Sequence, residues 1–407
     1  MHYQDNLEEI DKIKQRNLWA LFFCNLARGF GTGMFMVLIQ PFILELTGSI
    51  LITGIIISIA GAVQFLNMPL VGKLSDRFGR KNLLLVGIFI SILALFFLII
   101  SNPSVLHLLI IGVIFFYLGF SVENTNRQIF ISENTVKSKG LMYGLMLFSY
   151  FGGTIGGNYF VFVSSGLSTR FFFQIFFGIF IVIWFVYFIF VSDIFQLEKN
   201  RLLLKNNSHK NMWREIFKNP KAKAVLIFLT FDIFIYSISL SVYTGGLRDF
   251  YSLTIEQLAL LSMWFNISNM VFQIPAGRIA DKLGNMKSLI ISSLFGLGFF
   301  SINILGFYLW SGGNELALFP LLLFSHILFG INVSTFIPSE QILLTDLDEA
   351  RKAESYGIVG FVRGIGYIPC GYIGGFLIEN VHYIIPFIIT FIGIFFEIWY
   401  LLRYLRD

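Results

Sequence analysis

The sequence predicts an all-α integral membrane protein in which twelve transmembrane helices form two six-helix bundles related by pseudo-two-fold symmetry. Three observations predict this fold. Of the 407 residues, 56% are hydrophobic and 13% charged, whereas soluble globular chains carry about 25% charged residues. The apolar residues gather in segments of membrane-spanning length. A charged stretch, GKLSDRFGRK at 72–81, returns in degraded form as GRIADKLGNMK at 277–287, and this repeat indicates two related halves.

The apolar segments are helices rather than barrel strands, because they are too long and too uniformly apolar for strands. A helix needs about 20 residues to cross the membrane core. Segments of this kind occupy residues 18–44, 50–71, 82–101, 104–132, 140–164, 170–192, 222–246, 254–276, 288–310, 317–345, 353–378 and 382–402. We therefore predict a leader at 1–17, a first bundle at 18–192, a linker at 193–221 with a short interfacial helix near 212–217, a second bundle at 222–402 and a tail at 403–407.

The positions of the cations predict the orientation in the membrane. Of the 29 Lys and Arg residues, only Arg170 and Arg248 fall outside if the N-terminus is inside, and Arg28, Arg127 and Arg363 fall within helices. Cytoplasmic loops are the ones enriched in Lys and Arg. We therefore expect a multi-pass protein of the cell membrane with both termini in the cytoplasm. Because the cations are confined to short loops, the net charge of +5 does not indicate a nucleic-acid partner.

The repeated charged stretch carries a resemblance to a known family. The first copy fits G-x-x-x-D-R-x-G-R-K with Gly72, Asp76, Arg77, Gly79, Arg80 and Lys81, and the second keeps Gly277, Asp281, Lys282 and Gly284. Together with twelve spans, this stretch resembles the signature of the major facilitator superfamily over essentially the whole chain. The resemblance implies a secondary transporter, not an enzyme, that works by alternating access. It also implies that Asp76 faces the N-terminus of the eleventh helix and that Arg80 pairs with Glu133, which would close the cytoplasmic side.

A second resemblance lies in the eleventh segment, GIGYIPCGYIGG at 364–375. Its glycines and proline, Gly366, Pro369, Gly371 and Gly374, look like a motif of the fifth helix of drug/proton antiporters. Here the fifth segment has FGGTIGGN without proline, and the fourth lacks the family's R-x-x-Q-G arginine. Small residues let helices bend or approach closely, so both a gating role and plain packing remain open.

Five charged residues within the segments are candidates for the transport cavity and for proton coupling: Arg28, Glu123, Arg127, Asp232 and Glu340. Intramembrane charges face a cavity or a partner. The repeat places Arg127 opposite Glu340 and Arg28 within one position of Asp232, which predicts opposite-charge pairs across the symmetry axis. Alternatively, Glu123 and Arg127 pair with each other at i,i+4 spacing.

Three further charged residues are predicted to lie elsewhere. We expect Arg363 to brace the cytoplasmic side of the bundle and Glu397 to reach the membrane surface. Glu379 falls at the end of an apolar segment, and we expect it in a loop.

These features favour proton-coupled efflux of drug-like or amphiphilic compounds. The coupling step is protonation of Asp232, Glu123 or Glu340, because movement between arginine partners changes how readily a carboxyl holds a proton. We expect a monomer whose partners are a small-molecule substrate, the proton and the lipid bilayer, with no cofactor or metal and the proton gradient as energy source. A proton-coupled importer of a sugar or organic acid and a lipid or glycolipid exporter remain alternatives. A polytopic membrane enzyme is disfavoured, because the sequence offers no nucleophile with its base, metal cluster or nucleotide loop.

Overall fold

The computed structural model describes residues 2–135, 139–193, 219–347 and 352–405, and the regular elements within these ranges are all helices. The N-terminal half contains α1 (His2–Thr47), α2 (Ile50–Leu66), α3 (Met68–Phe78), α4 (Arg80–Ile100), α5 (Leu106–Asn134), α6 (Lys139–Val163) and α7 (Thr169–Phe190). The C-terminal half contains α8 (Pro220–Leu240), α9 (Tyr243–Tyr251), α10 (Ile255–Leu283), α11 (Asn285–Ser311), α12 (Leu318–Leu347), α13 (Lys352–Tyr367), α14 (Cys370–Asn380) and α15 (Ile385–Tyr404). Short 3₁₀ turns, Pro103–Val105 and Glu315–Ala317, precede α5 and α12.

The described helices account for all twelve predicted spans. Ten stretches are long and apolar enough to cross a membrane, and three of these consist of two helices in series, α2 with α3, α8 with α9, and α13 with α14. The other two predicted spans are α6 and α10, which contact each other between the halves. The predicted all-α membrane fold is therefore confirmed. α1 begins at His2 and runs without a break through the residues of the predicted leader. The interfacial helix predicted near 212–217 lies outside the described residues.

Three spans each contain a break between two helices. The first break lies at Asn67, and Pro69 follows at the second position of α3. The third lies at Ile368 and Pro369, where proline lacks the N–H that a continuous helix needs. This break lies in the eleventh segment, where the glycines and the proline left both bending and packing open. The second break, at Ser241 and Val242, contains no proline or glycine.

Glycines allow the closest helix contacts in each half. On α6, a Cβ added at Gly153 or Gly157 would collide with the backbone carbonyl oxygens of Leu26 and Phe30 on α1. Helices that are both surrounded by lipid associate through such close van der Waals contact. The stretch FGGTIGGN is therefore a packing surface within an uninterrupted helix.

The charged stretch 72–81 is helical for most of its length. α3 continues to Phe78 and α4 begins at Arg80, so only Gly79 lies between them, with φ 89°. In the second half Gly284 has φ 84° between α10 and α11. A positive φ is available to glycine at low cost, which explains why both copies of the stretch keep this residue. The charged residues before it extend the helix beyond the apolar span.

The two halves meet along two helix pairs. α2 packs on α13 and α14, and α6 packs on α10. We call the end of the bundle where the chain begins the near end, and the end where α1 finishes at Thr47 the far end. α1 also contacts α9 at the far end, so the halves are joined there.

Candidate functional site

The N-terminal half contains a buried cluster of three charged side chains. Arg28 Nε on α1 lies 2.9 Å from Glu123 Oε2 on α5. Arg127, one turn further along α5, places its Nε 3.2 Å from Glu123 Oε1. The three side chains are between 2% and 9% exposed. One carboxylate therefore pairs with two guanidinium groups, which leaves the cluster with one more positive than negative charge.

The terminal nitrogens of Arg28 face aromatic rings rather than acceptors. Nη1 and Nη2 are buried, and neither has a hydrogen-bond partner in the described structure. The guanidinium carbon lies 4.3 Å from the ring centre of Phe120 and 5.5 Å from that of Tyr150 on α6. A ring face attracts a cation, and these two rings are the main compensation for the unused donors.

The C-terminal half contains a second buried cluster, centred on Arg363 of α13. Its Nη1 forms an ion pair with Glu340 Oε1 on α12. Its Nη2 lies 3.8 Å from Asp232 Oδ2 on α8. The guanidinium also lies 5.9 Å from the ring of Phe65 on α2, across the interface between the halves. Here one guanidinium serves two carboxyl groups, which is the reverse of the first cluster.

The structure places each of the five predicted candidates in one of two charged clusters, but not in the predicted pairs. The expected partners Arg28 with Asp232, and Arg127 with Glu340, lie in separate clusters, each closed within its own half. The local pairing of Glu123 with Arg127 that the spacing allowed is present. Arg363 is a member of the site rather than a distant brace, since α13 turns this residue toward α8 and α12.

The repeated charged stretch builds a polar network at the near end. Arg80 Nε lies 3.1 Å from Glu133 Oε1 at the end of α5, so the pairing implied by the family resemblance is present. Arg80 Nη1 also donates to Ser75 Oγ at 2.7 Å, and Ser75 donates to Asn126 Oδ1. The network ties α3, α4 and α5 into one unit. Sequence reasoning missed Ser75 and Asn126, because uncharged polar residues are common on such helices.

Two other cations of this stretch, Lys81 and Arg77, differ in their surroundings. Lys81 Nζ donates to the backbone carbonyl of Phe188 at 2.8 Å, near the end of α7, while Arg77 is exposed. The pairing expected of Asp76 with the start of the eleventh span, and the side chain of Asp281, lie outside the described residues.

Comparison with known proteins decides the family. The model of the Major Facilitator Superfamily matches residues 21–251 and 236–407, which covers both halves. The chain belongs to the Major Facilitator Superfamily. It is a multi-pass membrane protein and a secondary transporter of small molecules rather than an enzyme.

Relatives within the superfamily include drug-resistance proteins. The chain is 24% identical to "Multidrug resistance protein MdtG" of Proteus mirabilis (strain HI4320) over 97% of each chain. It is 31% identical to "Quinolone resistance protein NorA" of Staphylococcus aureus (strain Mu50 / ATCC 700699) over 39% of this chain and 38% of the relative. Among solved structures, the nucleoside transporter NupG superposes with a TM-score of 0.71 at 14% identity, covering 95% of this chain and 98% of that one. The structural likeness supports the fold of the superfamily.

Glu379 joins the two halves at the far end. This residue lies in the last turn of α14, not in the loop that the sequence predicted. Its Oε1 accepts from Ser49 Oγ at 2.6 Å and from the backbone N–H of Leu51 at 2.8 Å. A carboxylate at a helix N-terminus is stabilised by the free N–H groups there. Glu379 thus caps α2 of the opposite half.

Three further hydrogen bonds join the halves at the same end. Gln40 on α1 donates to the carbonyl of Leu240 at 3.2 Å and accepts from the N–H of Gly245 at 3.0 Å. Ser165, just beyond α6, donates to Glu256 in the first turn of α10. These contacts all cross from one half to the other, so separating the halves at the far end requires breaking them.

Glu397 on α15 lies in the protein interior, so the prediction that it reaches the membrane surface is wrong. The residue is 1% exposed, and its Oε1 accepts from Ser293 Oγ on α11 at 2.7 Å. Within the described residues no ion pair reaches it, and Oε2 has no hydrogen-bond partner. α15 packs on α8 and α11, which keeps this side chain away from the membrane surface.

Glu397 provides a test of how the interior accommodates an isolated carboxyl group. Such a group costs much less in its protonated, neutral form than as a carboxylate. We therefore expect Glu397→Gln to keep the melting temperature of the detergent-solubilised protein close to that of the parent. Glu397→Ala removes the acceptor of Ser293 and is expected to destabilise by about 1–3 kcal/mol. Equal losses for both variants in thermal unfolding would show that the charged form is required.

Proposed function

We propose that this transporter exports drug-like or amphiphilic compounds in exchange for protons by alternating access. The observation that carries the proposal is the cluster of Asp232, Glu340 and Arg363, in which two buried carboxyl groups share one guanidinium. Burying an unbalanced charge is costly. The cluster reaches charge balance when one of its carboxyl groups holds a proton.

Asp232 is the carboxyl group proposed to exchange this proton. Its contact with Arg363 is 3.8 Å, longer than that of Glu340, so protonation of Asp232 breaks the weaker of the two pairs. Arg363 then remains with Glu340. Deprotonation restores the three-residue cluster, and the change in charge alters how α8, α12 and α13 attract one another. Glu123 is not the group proposed here, since it already pairs with two guanidinium groups.

Export of amphiphilic compounds is supported by the relatives and by the composition of the site. The relative that matches over 97% of this chain is named a multidrug resistance protein. Phe65, Phe120 and Tyr150 surround the charged clusters, and such rings suit an apolar ligand body. We further propose that both termini are cytoplasmic, so that the far end faces outward and is the closed end in this conformation.

The near-end network is proposed to act as the opposite gate. In this interpretation Gly79 provides the turn, and Arg80 and Glu133 hold α3, α4 and α5 together. The α3 helix of this unit already packs on α13 in this structure, and the unit moves closer to the start of α13 when the transporter faces outward. The second copy of the charged stretch, with Gly277, Asp281 and Gly284, has the same proposed role in the C-terminal half. The contacts of Gly357 with Pro69 and of Gly360 with Met68 support an approach of α13 to α3 at this end.

Proton movement in proteoliposomes tests the proposal. The purified protein is reconstituted with a pH-sensitive dye inside, and lipophilic cations, organic acids and sugars are added in turn. We expect a drug-like compound to trigger a pH change in the parent. In Asp232→Asn we expect the compound to bind while the pH change is lost, because Glu340 still neutralises Arg363.

The matched control is Asp249→Asn, a change of the same chemistry at an exposed residue of α9. It should behave as the parent does. Substrate movement without a pH change in the parent would contradict proton coupling, and a pH change that survives in Asp232→Asn would contradict the role of Asp232. A response to sugars alone would favour an importer.

A further inference from the structure

The arginine cluster of the N-terminal half contains one more cation than anion. The proposed proton exchange does not involve this surplus charge. Arg28 and Arg127 share Glu123 as their only described ion-pair partner. A purely structural ion pair needs one cation for one anion. The additional arginine costs free energy in the interior, where an unpaired charged group is among the most expensive features a fold can contain.

The two buried terminal guanidinium nitrogens of the cluster that lack both an acceptor and an ion-pair contact belong to Arg28. Arg127 directs its Nη2 to Asn124 Oδ1, whereas Nη1 and Nη2 of Arg28 have no acceptor in the described structure although the side chain is 2% exposed. Together, Nη1 and Nη2 of a guanidinium can donate hydrogen bonds to both oxygens of one carboxylate in a bidentate arrangement. Nε, the remaining nitrogen, is already held by Glu123, which fixes the orientation of the group.

The rings around Arg28 fit the rest of such a ligand. Phe120 and Tyr150, which lie over the guanidinium, are each only half-buried. A ring that moves off the guanidinium exposes the two donors and at the same time offers an apolar face beside them. The site therefore combines two charged hydrogen-bond donors of Arg28 with the aromatic rings of Phe120 and Tyr150.

We propose that Arg28 binds a carboxylate group of the transported compound, so that the preferred substrates are acidic or zwitterionic amphiphiles. This inference rests on the proposed function, since it assigns the substrate class of the same transporter. The surplus negative charge of the Asp232, Glu340 and Arg363 cluster complements it. A zwitterion can place its acidic group at Arg28 and leave its basic group for the other half.

A matched pair of probes distinguishes binding of the carboxylate from binding of the apolar part of the ligand. Pyrenebutyric acid and its methyl ester share the ring and chain and differ in the charge. Binding to the purified, full-length protein is measured from the ligand-induced rise in melting temperature. We expect the acid to bind the parent at least about tenfold more tightly than the ester, the effect of roughly one charge-assisted hydrogen bond pair.

Variants of Arg28 assign the preference to this residue. In Arg28→Gln we expect the acid to lose its advantage while the ester binds as in the parent, and in Arg28→Lys we expect part of the advantage to remain. Arg28→Met, which also leaves Glu123 paired with Arg127, is the second variant if Arg28→Gln is unstable. Arg403→Gln, an exposed residue of α15, is the matched control and should leave both affinities unchanged.

Each outcome bears on one hypothesis. Equal binding of acid and ester by the parent, or a preference that survives in Arg28→Gln, overturns the carboxylate site. A preference that depends on Arg28 while no compound moves protons in proteoliposomes leaves the carboxylate site standing and contradicts the proposed proton exchange.

Discussion

Arg363→Gln is expected to abolish transport and to lower the free energy of unfolding by about 3–5 kcal/mol, the usual cost of removing one partner from a buried ion pair. The variant leaves Asp232 and Glu340 side by side with no cation between them. At neutral pH their mutual repulsion adds to the cost of burial. Thermal unfolding in detergent and uptake into proteoliposomes measure the two losses.

A variant in which the cluster carries no charge distinguishes the effect on stability from the effect on transport. Arg363→Gln combined with Asp232→Asn and Glu340→Gln leaves no charge in the cluster, and replacing a complete buried ion pair by uncharged groups costs little. We expect the melting temperature to recover while transport stays lost. Should Arg363→Gln alone unfold at the parent's temperature, the cluster is not the electrostatic centre of this half.

Gly371→Ala is expected to shift the conformation toward one in which the far end is open. A Cβ at this position would overlap the backbone carbonyl oxygen of Gly54 on α2, and neither backbone can give way without separating the helices. Overpacking of this kind costs about 1–3 kcal/mol, which is enough to change the balance between two conformations that differ by a few kcal/mol. Spin labels at the exposed residues Leu167 and Leu316 lie on opposite halves at the far end. Their separation should increase.

Gly178→Ala on α7 is the matched control, since a Cβ there would meet open space. It should leave the distance between the labels unchanged. Glu379→Gln weakens the cap on α2 and is expected to increase the distance less than Gly371→Ala does. An unchanged distance in Gly371→Ala would mean that the α2 and α14 crossing does not hold the far end closed.

The fold could be predicted from the sequence because lipid imposes simple requirements. Apolar length determines where helices cross, and both glycine turns follow charged stretches that could be recognised as copies. The break at Pro369 could be predicted from the missing N–H, and Pro69 offered the same signal for the first break. The break at Ser241 and Val242 had no such signal, because neither residue is a proline or a glycine.

The site could be predicted only in part. Arg28, Glu123, Arg127, Asp232 and Glu340 were found because a charge inside a membrane segment needs a partner. The partners themselves depend on how each helix is rotated about its axis, and the repeat does not determine that rotation. For this reason Arg363 was placed outside the site and Glu397 at the surface. Cross-axis pairing was inferred from symmetry, whereas the structure satisfies each charge with the nearest helix of the same half.

The breaks in α2/α3 and α13/α14 lie side by side, with the rings of Phe65 and Tyr367 at a centroid separation of 6.0 Å. α2 therefore pairs with α14 on one side of the breaks, and α3 pairs with α13 on the other. In the proposed alternating-access cycle, each pair tilts about its own break while the other stays closed. A carrier must never present a continuous water path, because ions would flow through it and discharge the gradient that drives it. Two hinges at one depth allow one gate to shut before the other opens, and so protect the membrane from leak.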